Sequence, residues 1–184
     1  AKLYQQSELQ NRELGALLTV GKTVTGSFDL MELLAKSLDT IIEVMPVDAA
    51  EIWLMDGEEE LAMRCHRGSY REAFSGQTRF RIGEGMPGLV AQSHEPILVH
   101  DLPNDARFLR KEAIRAGFHT LCALPLLFQG ELVGVLLVAA LSADAIREQR
   151  EFRLLEGIGE WLATAIENAR LYQQVQDVAV LQER

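Results

Sequence analysis

The sequence predicts an α+β fold, with helices from both ends of the chain lying on one face of a mainly antiparallel sheet. Two tight hairpins carry the antiparallel assignment, because strands joined by short turns run in opposite directions. Apolar stripes at helical spacing, one before the first hairpin and one after the last, supply the helices.

The elements follow in order. Lys2–Thr25 is rich in Leu, Gln and Glu, and Leu14, Leu17, Leu18 and Val24 recur at helical spacing. Gly15 and Gly21 weaken that run. Ser27 is the expected N-cap of the next helix. Its stripe (Leu30, Leu33, Leu34, Leu38, Ile41, Ile42, Met45) ends where Pro46 breaks it. Ala49–Met55 alternates as a strand, Asp56-Gly57 reads as a turn, and Glu60–His66 as the return strand. Arg67–Thr78 is loop-like or short-helical, and Arg79–Ile82 is a short strand. After the glycine-rich run Gly83–Gly88, Leu89–Ser93 has room only for a short helix before Pro96. Ile97–Val99 is a strand, Asp101–Arg107 is turn-rich, and Phe108–Ala116 is helical. Leu121–Leu127 and Leu132–Ala140 form a hairpin about Gln129-Gly130. From Glu148 onward the chain is one long helix with Leu155, Ile158, Leu162, Ala165, Ile166, Ala169 and Tyr172 on its apolar face. Val175, Val178 and Leu181 continue the stripe beyond what the sheet needs, as in a coiled-coil connector. The expected division is a connector helix over 1–26, one domain over 27–172 and a coiled-coil connector over 173–184.

Composition narrows the function. The 184 residues are 48% hydrophobic and 24% charged, which is globular composition for one domain with extensions. With 27 acidic against 18 basic residues, the net charge is −9. That opposes nucleic-acid binding and docking on anionic membrane. The apolar run Leu132–Leu141 is too short to span a bilayer. Cys65 and Cys122 are far apart and form no CxxC pair, so no disulfide framework is expected and a reducing cytoplasm fits. The chain starts with Ala, as a processed or excised piece would.

Three runs together resemble the GAF family: Gly83-Glu-Gly-Met-Pro-Gly-Leu-Val-Ala91, followed by Glu95–Asp101 and Asp105–Phe108; Leu121–Leu126 with Gly130–Leu136; and the closing Ala165-Ile-Glu-Asn-Ala-Arg-Leu-Tyr172. The resemblance covers Ser27–Tyr172. It implies five or six antiparallel strands flanked by helices, with a ligand pocket between the sheet and the loop-rich face. It also implies a sensory role, dimerisation through the terminal helices, and a downstream effector. Gln173–Arg184 resembles the connector into a histidine kinase of the nitrate-sensor type in a two-component system. A ligand-free dimerisation or spacer module is the alternative.

By that analogy Asp105–His119 walls the pocket. The candidate pocket residues are Trp53, Phe80, Arg107, Phe108, Arg115, Phe118 and His119. Arg107 and Arg115 have the planar forks that hold anions, against the plainer reading of each as a solvated surface residue. His119 could ligate haem or a polar ligand, against the plainer reading of a strand-start histidine bonded to backbone. Phe108–Phe118 lacks the cysteine of bilin-binding relatives, so covalent bilin is disfavoured. The three-cysteine pattern of methionine-sulfoxide-reducing relatives and the Asn-Lys-Phe-Asp-Glu set of cyclic-nucleotide relatives are also missing. The ligand and any cofactor therefore stay open. Gly83-x-Gly85-x-x-Gly88 formally matches a dinucleotide fingerprint, but it lacks the βαβ context and reads as a backbone turn. No metal spacing and no nucleophile–base–orienter set is found, so no catalytic or metal residue is expected. The candidate dimer-helix residues are Leu14, Leu17, Leu18, Trp161, Tyr172 and Val175, and the expected partners are a second copy of the chain and a small molecule.

Overall fold

The computed structural model describes residues 29–183. Helix α1 (Leu30–Val44) buries Leu30, Leu33, Leu34, Leu38 and Ile41 along one stripe. Its N-cap is Asp29, whose Oδ1 accepts from the Met31 amide at 3.0 Å. The expected cap, Ser27, lies outside the described residues, as do the stretch 1–26 and Leu14, Leu17 and Leu18. The backbone turns extended at Met45, ahead of Pro46.

Six strands follow: β1 (Ala49–Asp56), β2 (Glu60–Gly68), β3 (Arg79–Arg81), β4 (Ile97–Val99), β5 (Thr120–Phe128) and β6 (Glu131–Ala140). They form one sheet in the order β3-β2-β1-β6-β5-β4. Every adjacent pair is antiparallel. The α+β class matches the sequence-based expectation, and six strands fall within the five or six that the family resemblance implies.

The sheet is covered on both faces, which is why its central strands read as nearly continuous apolar runs. Along β1, Ala50, Ile52 and Leu54 belong to one core. That core is shared with α1 and with helix α5 (Arg153–Gln182). Ala49 and Trp53 belong to the opposite core. Glu51 shares their face, because side chains alternate along a strand.

The second face is covered by loops and short elements: α2 (Arg71–Ser75), α3 (Gly85–Ser93), a 3-10 turn (Leu102–Asn104) and α4 (Lys111–Arg115). The glycine-rich run does the turning work that the sequence suggested. Gly85 has φ +65, and a Cβ there would stand 2.6 Å from the Phe80 ring. A Cβ on Gly88 would stand 2.2 Å from the Arg81 carbonyl oxygen, so only glycine lets α3 sit this close to β3. The helix begins at Gly85, four residues before the expected start at Leu89.

Two expectations need correction. The helix expected over Phe108–Ala116 is a single turn, Lys111–Arg115. Arg110 has non-helical backbone angles (φ −87, ψ 83), and its side chain turns into the interior. The last helix does not begin as an α-helix at Glu148: Glu148–Phe152 is a π-helical turn, and α5 proper starts at Arg153. The buried carboxylate of Glu151 closes that turn, accepting from the Arg147 amide at 3.0 Å.

Helix α5 is buried on one side as far as Ala169 and projects beyond the sheet from Leu171 onward. Among the described residues no helix is long and apolar enough to cross a membrane.

Candidate functional site

The loop-side core contains a charged cluster. Glu51, in the middle of β1, is fully buried. His66 lies directly across from it on β2, and the Glu51–His66 register places both side chains on one face. The two meet at 3.2 Å, His66 Nδ1 to Glu51 Oε1. Trp53, two residues along β1, donates its indole Nε1–H to Glu51 Oε2 at 2.8 Å. Arg110 enters from the segment ahead of α4. Its Nη1 donates to both carboxylate oxygens, at 2.7 and 3.0 Å. Arg110 is 5% exposed.

Aromatic rings enclose the guanidinium. Its central carbon stands 4.8 Å from the Phe74 ring centroid, 5.4 Å from Trp53 and 5.6 Å from Phe108. Such contacts gain strength where water is excluded. Phe74 in turn meets Phe118 edge-on at 4.9 Å. Trp53 packs on Phe80 at 5.2 Å.

Burial alone would raise the Glu51 pKa. The Arg110 charge and the hydrogen bonds from His66 and Arg110 more than offset it and hold the carboxyl below its ordinary value of 4.5. Glu51 is therefore an anion at neutral pH. The cluster is not fully satisfied, since Arg110 Nη2 and His66 Nε2 are buried without a hydrogen-bond partner. An orphaned buried donor costs about 1–3 kcal/mol.

The structure brings four of the seven expected pocket residues together. Trp53, Phe80, Phe108 and Phe118 are all buried in the loop-side core. The two arginines turn outward instead. Arg107 forks onto Asp105, at 2.9 and 2.6 Å. Arg115 is exposed and pairs with Glu112. Both are satisfied locally by a carboxylate two or three residues back, which leaves neither aimed at the interior. His119 is half-buried, its amide donates to the Ala140 carbonyl at 2.9 Å and its carbonyl accepts from Leu102 at 2.9 Å. Its Nδ1 is buried and unpartnered.

The outside of the segment 102–116 borders two open clefts. One, of about 630 Å³, is lined by residues that include Leu102, Phe108, Leu109 and Ile114. The other, of about 840 Å³, lies between α2 and α4 beside Tyr70, Arg71, Glu112 and Arg115.

Sequence reasoning passed over Glu51, His66, Arg110 and Phe74. One signal was available: Glu51 is a lone charge inside Ala49-Ala-Glu-Ile-Trp-Leu54, an otherwise apolar strand. His66 and Arg110 lie 15 and 59 residues away and meet it only through the topology.

Among the described residues no group of three or more His, Cys, Asp or Glu is placed to hold a metal ion. Cys65 and Cys122 are free, buried thiols on the helix side of the sheet. Burial raises the pKa of both, well above the thiolate range for Cys122.

Residues 29–167 match the family model for the GAF domain, and the chain belongs to that family. In class it is a GAF-type sensory or regulatory domain. It is 29% identical over 171 residues to the Nif-specific regulatory protein of Herbaspirillum seropedicae, a match covering 90% of this chain but only 31% of that protein's length. Two solved structures share the fold. The GAF domain of a phosphoenolpyruvate-protein phosphotransferase from Coxiella burnetii superposes with a TM-score of 0.73 at 24% identity, covering 90% of this chain and 98% of that one. A free methionine-R-sulfoxide reductase from Neisseria meningitidis, in complex with its substrate, gives 0.72 at 19% identity, covering 91% and 93%.

Proposed function

We propose that this chain is a non-catalytic regulatory domain that answers a small ligand at its loop-side core and passes the change to an effector through α5, paired with a second copy. The observation that carries this reading is the end of α5. Leu171, Val175 and Val178 are 51, 67 and 54% exposed on a helix that has left the sheet. Their spacing of four and then three is a coiled-coil seam, which needs a second helix to bury it. Upstream on the same helix, Leu155, Leu162 and Ile166 pack on the sheet that carries Glu51 from its other face. A ligand that prefers one arrangement of the loop layer would shift a two-state equilibrium, and the helix pair is the element that reads it.

The likeness to a Nif-specific regulatory protein supports a place for this domain in a longer regulatory protein. The resemblance of the connector 173–184 to that of nitrate-sensor kinases supports a histidine kinase as the second reading. A spacer with no ligand is the reading to beat. Tyr172 and Val175 keep their proposed place at the helix pair; Trp161, half-buried against the helix-side core, is its upstream end.

Light scattering over a range of concentrations tests the pairing. The 184-residue chain is expected to run as a dimer. Leu171→Asp with Val175→Asp should give a monomer with an unchanged melting temperature of the domain body, because neither residue is in the core. A monomeric parent chain at every concentration would overturn the relay.

A further inference from the structure

We infer that Glu51, Trp53, Phe74 and Phe108 form a binding cage for a small guanidinium compound, and that Arg110 occupies the cage as a tethered stand-in for it. The inference rests on the proposed regulatory role and names the ligand class of that site.

Four observations point the same way. A buried carboxylate ringed by aromatic faces is the environment that selects a planar, weakly hydrated cation. The carboxylate belongs to the rigid part of the site: Glu51 and Trp53 are on central strand β1, and the Trp53 indole holds Oε2 at 2.8 Å. The cation belongs to the less anchored part. Arg110 comes from the stretch between a three-residue 3-10 turn and a five-residue helix, where a local opening breaks few backbone bonds. Finally, Arg110 fits its seat imperfectly. It reaches both carboxylate oxygens through Nη1 alone, and Nη2 is buried without an acceptor. A free guanidinium has no tether and can set two nitrogens against two oxygens, the stronger bidentate arrangement.

The packing also favours exchange over addition. Trp53, Phe74, Phe80 and Phe118 fill the loop-side core at 0 to 2% exposure, and Phe108 follows at 8%. A ligand of this size gains Glu51 by replacing the Arg110 head group. With Arg110 withdrawn, Glu51 would be a buried anion facing only His66 and the Trp53 indole N–H, and a cation is what that site demands.

The test is a titration of the full 184-residue chain with methylguanidinium at constant ionic strength, far below denaturing concentrations. Methylammonium and malonate serve as the non-planar and anionic controls. The chain has two tryptophans, so a Trp161→Phe background leaves Trp53 as the reporter. A saturable change in Trp53 emission is expected with methylguanidinium, weaker with methylammonium and absent with malonate. Arg110→Ala removes the tethered competitor and should tighten methylguanidinium binding at least tenfold. Should that variant not fold alone, Arg110→Lys keeps a charge in the seat, loses the fork, and should tighten binding by a smaller factor. Glu51→Gln should abolish the response.

No saturable response in either the parent or the Arg110 variants would overturn the cage. So would saturation by malonate, which would place the ligand on Arg110 and His66 instead and leave the regulatory reading standing. Because the readout is local to Trp53, a chain that binds methylguanidinium as a monomer keeps the cage and loses only the relay.

Discussion

Arg110→Met, with Glu51 left in place, is expected to destabilise the fold by about 3–5 kcal/mol in urea unfolding. The charge that remains is the reason. Glu51 is at 0% exposure, and its two oxygens would keep only the Trp53 indole and His66 as partners. Removing the second charge as well should recover much of the loss: an apolar pair of similar volume replaces a buried ion pair at little or no cost in many folds. Recovery in the Glu51→Leu, Arg110→Met double variant should stop short of the parent, because the Trp53 Nε1–H would then be a buried donor without an acceptor. The pH dependence has a definite sign. The Glu51 pKa is below its ordinary value of 4.5 in the folded chain, so its contribution is whole above that pH. It drains away as pH falls through the folded pKa. The penalty of Arg110→Met should begin to shrink at a higher pH than that, since without the cation burial raises the Glu51 pKa and a protonated Glu51 no longer needs a partner. A cost under about 1 kcal/mol at neutral pH would mean the pair behaves like an exposed one, contrary to the burial described.

Phe74→Ala is the second large effect, also about 3–5 kcal/mol. Phe74 is the one buried side chain of the five-residue α2. A helix that short has no stability of its own, so its ring is what moors it. The ring touches the Arg110 guanidinium at 4.8 Å, His66 at 5.3 Å and Phe118 at 4.9 Å. Its loss opens a void beside a buried ion pair, which both forfeits packing and admits water to the charges. Phe74→Leu fills part of the void and should cost much less. Measured by urea unfolding, a Phe74→Ala penalty below about 1.5 kcal/mol would show that α2 collapses onto the gap and that the ring does not hold the cage.

The fold was largely legible because its signals are local. Hairpin turns, the Pro46 stop and the stripe from Leu30 to Met45 each report on neighbouring residues. The glycine run from Gly83 to Gly88 was legible as a turn for the same reason, although not the close approach to Arg81 that requires it. The site was legible only by residue type. Aromatics are large and bury themselves, so naming Trp53, Phe80, Phe108 and Phe118 amounted to naming part of one core. The charged candidates were less legible. Arg107 and Arg115 were named by their place in the segment, against a plainer solvated-surface reading of each, and each pairs with a nearby carboxylate. Arg110 was hidden inside an apparent helix because the force that unwinds the chain there is a contact with a strand 59 residues away. No periodicity encodes that. The helix-pair residues Leu14, Leu17 and Leu18 lie outside the described residues, so the seam on α5 stands alone here.

Ligand exchange at Glu51 should be coupled to α5 across the sheet. Amide hydrogen exchange along the whole chain, with methylguanidinium absent and then saturating, addresses it most directly. Faster amide exchange is expected over 105–115 as Arg110 leaves its seat, together with altered protection along 153–182. Unchanged exchange in both segments while Trp53 reports full occupancy would contradict it.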